Sequence, residues 1–251
     1  MKATGFEYRH RYAIHTILYV LGFVAPWNYA VRLDPVGPNS HVWGILASDL
    51  AQLRVGNIGV AFNVLLAVAI ACAFAGAFLR TWGSAYLSMA VVQDGGMHTA
   101  ATSEVGIVEA GPFRYVRNPL YLGTFLNTLA LALLMPPSGA IFTIVTIGIL
   151  QVRLILAEEP FLEARLGGAY VAYCRLVPRM WPSVRPRIAG DASLVPRWGQ
   201  ALLGESYVWC VVIAFAVFGW RYSAVLLVQC VVVAFGISLV VRALAPVDSV
   251  E

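Results

Sequence analysis

Six runs of mostly apolar residues constrain this chain more than any other feature of its sequence. A helix needs about 20 such residues to cross a bilayer, with roughly 17 to 25 tolerated. The runs comprise residues 14–31, 58–79, 119–135, 140–157, 204–220 and 223–241. Charged residues make up only 12% of the 251 residues, about half of the share usual in soluble domains. The sequence therefore predicts an all-α, polytopic membrane bundle of about six transmembrane helices.

Basic residues predict the orientation of this bundle, because Lys and Arg concentrate on the cytoplasmic side of membrane proteins. They cluster before the first run, between the second and third runs, and between the fourth and fifth runs. The alternate connections carry only Arg32, Arg54 and Arg221. We therefore expect both termini in the cytoplasm, with the long polar connections 80–118 and 158–203 on that same side. This pattern explains the net charge of +4 without a nucleic-acid partner.

Two polar clusters flank the third and fourth runs. The first reads Gly-Pro-Phe-Arg-Tyr-Val-Arg-Asn-Pro-Leu-Tyr-Leu-Gly over residues 111–123, and the second begins with Glu158-Glu159-Pro160. The Pro-Pro-Ser-Gly sequence at 136–139 predicts a tight turn between the two runs. A helical hairpin returns the chain to the side it left, so we expect the clusters to meet at one membrane interface.

The order and spacing of these clusters resemble the isoprenylcysteine carboxyl methyltransferase family, and more broadly the membrane methyltransferases that include phospholipid N-methyltransferases. The shared pattern is Gly-Pro-x-Arg-Tyr-x-Arg before a Pro-x-Tyr-x-Gly, a hairpin, Glu-Glu-x-x-Leu, Tyr-x-x-Tyr and Pro-Arg, over about residues 105–182. Asn118 stands where the family pattern has His. The resemblance predicts three parts: helices and a connection at 1–104, a methyltransferase core at 105–182, and a linker with a final hairpin at 183–251.

The resemblance implies that S-adenosyl-L-methionine binds at the cytoplasmic interface. Carried over residue by residue, it assigns apolar and polar positions of the first cluster to this cofactor, with Glu158 closing the site from the other side. The assigned residues of the first cluster and the segment before it are Ile107, Val108, Phe113, Asn118, Pro119, Leu120 and Tyr121. The residues themselves agree: the Glu pair suits the cofactor's cationic groups, and Arg117 suits its carboxylate through a bidentate fork.

The resemblance also implies that an Arg shortly before the Glu pair serves the methyl acceptor, and Arg153 is the nearest candidate. It lies five residues before Glu158, and residues at this spacing do not share one stripe of a straight helix. We take Glu159 as the candidate for orienting or deprotonating the acceptor. The predicted partner is a lipophilic or lipid acceptor bearing a carboxyl or amine group. We expect an integral protein of a bacterial inner membrane, with its active site on the cytoplasmic side that the basic residues indicate.

Several alternatives stay open from the sequence. Glu158 and Glu159 precede Pro160 and could simply begin a helix, where acids favour the dipole, and Arg153 could snorkel to lipid headgroups. An NADPH-dependent membrane reductase of the sterol or steroid type has a similar Tyr-rich C-terminal pattern, and a non-catalytic scaffold or carrier is a third possibility. The scattered His and Cys residues predict no metal site. Oligomeric state has no signal in the sequence.

Overall fold

The computed structural model describes residues 2–24, 41–54, 56–87, 102–103, 106–221, 233 and 236. The described chain is mostly helical. Its helices are α1 (Gly5–Arg9), α2 (Arg11–Val24), α3 (Val42–Gln52), α4 (Ile58–Ser84), α5 (Pro119–Ala132), α6 (Pro137–Leu166), α7 (Gly168–Leu176), α8 (Trp198–Gly204) and α9 (Ser206–Arg221). A two-residue antiparallel pair, β1 (Thr102–Ser103) with β2 (Gly106–Ile107), precedes a 3₁₀ turn at Gly111–Arg114.

Two helices, α4 and α6, are long and apolar enough to cross a membrane. A third candidate span is the pair α8 and α9, which is bent by 67° at a short break. The apolar helices α2 and α5 are shorter than a span. The prediction of a helical membrane bundle is thus confirmed in class, while six spans and the orientation of the termini stay predictions. Residues 25–31 of the first predicted span and most of the sixth lie outside the described residues.

Small residues allow α4 and α5 to pack closely. Gly76 of α4 and Gly123 of α5 face each other, and a Cβ on either would lie 2.6 Å from the other's carbonyl oxygen. Ala69, Ala73 and Ala77 of α4 are buried, as expected for helices whose association depends on close backbone approach. This crossing fixes the start of α5, and with it the first polar cluster, against α4.

A second close crossing holds α2 against α6. A Cβ on Gly139 would overlap the carbonyl oxygen and carbon of Gly22, which are backbone atoms that cannot turn aside. Gly22 is itself tightly enclosed, since its own Cβ would overlap the side-chain oxygen of Thr143. The beginning of α6 is therefore positioned by backbone contact with α2.

We expect Gly139→Ala to force α2 and α6 apart and to lower the thermal unfolding temperature of the detergent-purified protein by several degrees. Overpacking at such a site costs about 1–3 kcal/mol. Gly148→Ala on the same helix is the matched control, because its Cβ would make an ordinary contact of 3.6 Å with Phe125. Equal melting temperatures for the two variants would contradict the close crossing.

The helix α3, which was not expected from the sequence, covers the turn between α5 and α6. The backbone nitrogens of Val42 and Trp43 donate to the carbonyl oxygens of Met135 and Leu133, at 2.9 Å each. The indole nitrogen of Trp43 donates to the carbonyl of Phe62 in α4 at 3.3 Å. Eleven residues are too few to span a bilayer, so the hydropathy of this segment did not mark it as a membrane helix.

A buried ion pair lies at the break between α8 and α9. Glu205 is fully buried and accepts hydrogen bonds from Arg80 of α4, at 2.7 Å from Nε and 3.0 Å from Nη2. The hydroxyl of Ser84 also donates to Glu205, at 2.8 Å. Arg80 additionally donates to the hydroxyl of Thr124 at 2.6 Å. A residue that the charge pattern treats as a loop cation is therefore a buried link between α4, α5 and the bend.

The helix α6 is longer than the predicted fourth run and changes the interpretation of the Glu pair. It continues without a break through Pro160 to Leu166 and ends at Gly167, whose φ is 62°. Glu158 and Glu159 thus lie within a helix that began at Pro137, so the alternative that they begin a helix is wrong. Proline removes one backbone donor from a helix, yet α6 runs past Pro160 to Leu166.

Candidate functional site

The first polar cluster begins with a tight turn that only glycine permits. Gly111 has φ of 53°, and a Cβ at this position would overlap the ring of Tyr86. The 3₁₀ turn that follows buries Pro112 and Phe113. The turn directs the chain so that Arg117 and Asn118 precede α5, which begins at Pro119. The Gly-Pro-Phe sequence therefore positions the polar residues after it.

The two polar clusters meet at Glu159. Its Oε1 accepts hydrogen bonds from Nη1 of Arg117 at 3.0 Å and from Nε of Arg179 at 3.0 Å. Its Oε2 accepts from Nη2 of Arg179 at 2.6 Å. One carboxylate thus joins the segment before α5, the helix α6 and the segment after α7. The expectation that the clusters come together is confirmed by this contact.

Hydrogen bonds to backbone carbonyl groups extend the same junction. The nitrogen of Arg117 donates to the carbonyl of Pro178 at 2.9 Å, and its Nε donates to the carbonyl of Val177 at 2.8 Å. The side-chain amide of Asn118 donates to the carbonyl of Arg179 at 3.1 Å. Further along, the nitrogen of Ser183 donates to the carbonyl of Tyr115 at 3.0 Å. The two long polar connections therefore lie on the same side of the helices in the described part of the chain.

Glu158 has a different environment from its neighbour. Its side chain is buried, and its Oε2 accepts a hydrogen bond from the hydroxyl of Tyr121 in α5 at 3.1 Å. A carboxylate has about four acceptor positions, so Glu158 keeps capacity to accept hydrogen bonds from a bound molecule.

The apolar residues predicted for the site are buried or partly buried and pack in two separate clusters. Val108 and Phe113 pack with Leu87 in one apolar cluster, against which Leu120 also packs. Ile107 packs instead against the cluster formed by Leu162, Tyr170, Tyr173 and Val177. Pro119 and Leu120 lie against Gly83 of α4. The structure thus distributes the predicted apolar lining over two clusters on either side of the 107–113 segment.

The tyrosines of α7 hold the apolar segment in place. The hydroxyl of Tyr173 donates to the carbonyl of Phe113 at 2.9 Å, and both Tyr170 and Tyr173 are buried. Burial raises the pKa of each phenol above its ordinary value. Tyr173 therefore remains a neutral donor to this carbonyl, and the Tyr-x-x-Tyr pattern has a clear structural function.

The side chain of Arg153 forms its ion pair with the N-terminal helix and not with the Glu pair. Its Nη2 donates to Oε2 of Glu7 in α1 at 2.7 Å. The nitrogen of Ala3 donates to the backbone carbonyl of Arg153 at 3.0 Å. The hydrogen bond from Arg153, together with the backbone hydrogen bond from Thr4, lowers the pKa of Glu7 to about 2 from its usual 4.5. The alternative that Arg153 extends freely to headgroups is wrong in this structure.

This pKa predicts the pH dependence of the contact between α1 and α6. A carboxylate whose pKa is lowered by folding stabilises the folded state above its unfolded pKa, and the stabilisation is lost as the pH falls toward the folded pKa. We expect the melting temperature of the wild type to exceed that of Glu7→Gln at pH 6, with the difference narrowing below pH 4.5 toward pH 2. The exposed Glu163→Gln is the control, and a constant difference down to pH 3 would contradict the prediction.

Three site features had not been singled out from the sequence. Arg179 was visible as the Arg of the Pro-Arg pattern, but its pairing with Glu159 depends on the position of the chain after α7. Glu7 and Glu205 carry no local signal, because their partners Arg153 and Arg80 are 146 and 125 residues away. Such pairs become visible only when the helices are in place.

The model of the phospholipid methyltransferase family matches residues 64–168. The match includes most of α4, which the resemblance in the sequence had not covered, and ends at the beginning of α7. It contains both residues of the Glu pair and the whole first cluster, but not Arg179, Glu205 or α1. No curated protein and no solved structure matches the chain.

Proposed function

Because residues 64–168 carry a domain of the phospholipid methyltransferase family, within the isoprenylcysteine methyltransferase-like group of membrane methyltransferases, we propose that this protein transfers a methyl group from S-adenosylmethionine to a membrane-borne acceptor. The observation that carries the proposal is the pairing of Arg117 with Glu159 and of Tyr121 with Glu158, next to Asn118, whose amide donates to the carbonyl of Arg179. The family match includes all of these residues except Arg179, and the chemistry they offer suits this cofactor.

The fit to S-adenosylmethionine rests on the donor and acceptor groups at this junction. A buried carboxylate is costly unless it is hydrogen-bonded or paired with a positive charge. Glu158 is buried and accepts the Tyr121 hydroxyl, so a cationic group of the cofactor is a suitable partner for its remaining capacity. The bound cofactor supplies an electrophilic methyl group, whose bond to sulfur breaks as a bond to the acceptor's nitrogen or oxygen forms. Glu158 thus binds the cofactor in this proposal.

Glu159 acts in this proposal as a positioning residue and not as a proton acceptor. Both oxygens of its carboxylate already accept hydrogen bonds from the guanidinium groups of Arg117 and Arg179, so its acceptor positions are occupied by these two side chains. Its effect is to hold Arg117 and the segment around Arg179 at the site. Orientation of the acceptor, the first of the two roles expected for Glu159, is compatible with this arrangement, whereas deprotonation is not favoured.

The remaining cofactor contacts are proposed by position. Asn118 and Arg117 lie at the start of α5, where side-chain and backbone polar groups suit the polar parts of the cofactor. Val108, Phe113 and Leu120 form an apolar cluster suited to the flat adenine ring, while Ile107 and Pro119 enclose the segment on either side. Methyl transfer needs alignment and exclusion of water more than covalent help, and the burial of Glu158 and Phe113 favours both.

The acceptor is proposed as a lipophilic molecule or lipid with a carboxyl or amine group, reached from the membrane. Arg153, one to two turns before the Glu pair on α6, is the proposed residue for interaction with the acceptor. The proposed location is a bacterial inner membrane with the site facing the cytoplasm. The family match favours this reaction over NADPH-dependent reduction and over a non-catalytic scaffold.

Calorimetric titration of the detergent-purified protein with S-adenosylhomocysteine, and in parallel with NADPH, tests the proposal. Saturable binding of S-adenosylhomocysteine alone is expected. Binding of NADPH alone would make the protein a reductase, and binding of neither would favour the scaffold. The exposed Glu163→Gln variant should bind as the wild type does.

A further inference from the structure

The N-terminal helix α1 lies outside the family match, yet it is firmly attached to α6 beside the candidate site. Tyr8 is buried and packs with Leu150 and Leu154 of α6. Tyr121, which donates to Glu158, packs against this same cluster. The helix α1 therefore connects the surroundings of Arg153 with those of Glu158, although these two residues do not share one face of α6.

The position of Glu7 within α1 is fixed by local bonds. Thr4 and Glu7 form a capping box, in which the nitrogen of Thr4 donates to Oε2 of Glu7 at 2.7 Å and the nitrogen of Glu7 donates to the Thr4 hydroxyl at 3.2 Å. The same Oε2 accepts from Arg153. A capping box holds its acidic side chain back toward the start of the helix, so Glu7 is pre-positioned to meet Arg153.

Arg153 keeps hydrogen-bonding capacity in this arrangement. Its Nε is buried and has no hydrogen-bond partner among the residues that the structure describes. A buried donor without a partner carries a desolvation cost, which a ligand oxygen could relieve. The charge of Arg153 is neutralised by Glu7, while one of its donors remains for a bound molecule.

We propose that Glu7 determines the charge preference of the acceptor site by neutralising Arg153, so that the site takes amines and uncharged polar headgroups in preference to carboxylates. The inference rests on the proposed function. A carboxylate acceptor would have to displace Glu7 from both Arg153 and Thr4, or else bind beside the Glu7 carboxylate. An amine meets no such penalty, because the carboxylate of Glu7 favours positive charge. Glu7 is thus a specificity-determining residue supplied from outside the family domain.

The test measures the binding of a lipophilic anion and a lipophilic amine to protein saturated with S-adenosylhomocysteine in detergent. Radiolabelled oleate and oleylamine are the probes. Glu7→Gln keeps the shape of the side chain and removes its charge, so oleate affinity should rise at least tenfold while oleylamine affinity falls or stays within threefold. The double variant Glu7→Gln/Arg153→Gln should return oleate affinity to near the wild-type value.

Two further variants keep the test decisive. Glu163→Gln changes the net charge by the same amount on an exposed part of α6, and it should leave both affinities unchanged. Arg153→Gln alone should weaken oleate binding further, which serves as the readout if Glu7→Gln does not fold.

Unchanged oleate affinity in Glu7→Gln, or a gain that persists in the double variant, would overturn the inference. Failure of the wild type to bind S-adenosylhomocysteine would instead overturn the proposed function, so the two failures are distinguishable.

Discussion

Replacing Glu158 with Gln is expected to weaken the binding of S-adenosylhomocysteine by roughly 10- to 150-fold, since a hydrogen bond to a charged group contributes about 1.5–3 kcal/mol. The homocysteine ammonium loses its charged partner, while the amide keeps the size of the side chain and can still accept from the Tyr121 hydroxyl. The affinity is measured by calorimetry in detergent, with circular dichroism as the check that the variant remains folded.

Glu163→Gln provides the matched control for this prediction. Glu163 lies on the same helix five residues further on and is exposed, so the same chemical change should leave the affinity unaltered. An affinity of Glu158→Gln equal to that of the wild type would remove Glu158 from the cofactor site. Tyr121→Phe offers a graded comparison: it removes the donor and leaves the carboxylate, so a smaller loss than that of Glu158→Gln is expected.

Glu205→Ala is expected to produce the largest loss of stability among the substitutions considered, about 3–5 kcal/mol, because it leaves the buried Arg80 without its counter-charge. Arg80 is only 7% exposed and Glu205 is 0% exposed, so water cannot replace the lost partner. The variant also frees the hydroxyl of Ser84 and loosens the bend between α8 and α9. Unfolding of the purified protein in mixed micelles with increasing denaturing detergent measures the effect.

A double variant separates the charge imbalance from the loss of packing. In Arg80→Met/Glu205→Leu both charges are replaced by apolar side chains of similar size, which is often neutral or even stabilising for buried pairs. We expect it to be clearly more stable than Glu205→Ala. If both variants unfold like the wild type, Arg80 and Glu205 do not form the buried pair described here.

The effect of Glu205→Ala on cofactor binding tests how far the bend influences the site. Arg80 also donates to the carbonyl of Leu120 at 3.3 Å and to the hydroxyl of Thr124, both on α5. Loss of its counter-charge should therefore disturb the start of α5, where Asn118 and Tyr121 lie. A moderate loss of S-adenosylhomocysteine affinity at temperatures where the variant is folded is the expected result.

The membrane character and the meeting of the two polar clusters were predictable because both depend on local properties of the chain. Apolar length sets which helices can cross a bilayer, and a hairpin with a short turn brings its ends to one side. The Gly-Pro-Phe-Arg and Glu-Glu motifs follow one another at a characteristic spacing, so the sequence alone identifies the residues at the junction.

The partners of the charged residues were decided only by the tertiary structure. Glu159 pairs with Arg117 and Arg179, Arg153 with Glu7, and Arg80 with Glu205, and none of these pairs is closer than 20 residues in the chain. The same is true of the uninterrupted path of α6 through Pro160, which made the Glu pair part of a long helix and not the beginning of a new one.

The sequence by itself determined a helical membrane protein with a methyltransferase-like junction formed by residues 111–123 with Glu158 and Glu159. Composition, the length of apolar runs and motif spacing are properties of neighbouring residues, and they suffice for that conclusion. The tertiary structure decided which charged residues pair, because a buried charge is tolerated in a low-dielectric interior only when an opposite charge lies next to it. Which residues lie next to each other depends on how the helices cross, at Gly22 with Gly139 and at Gly76 with Gly123.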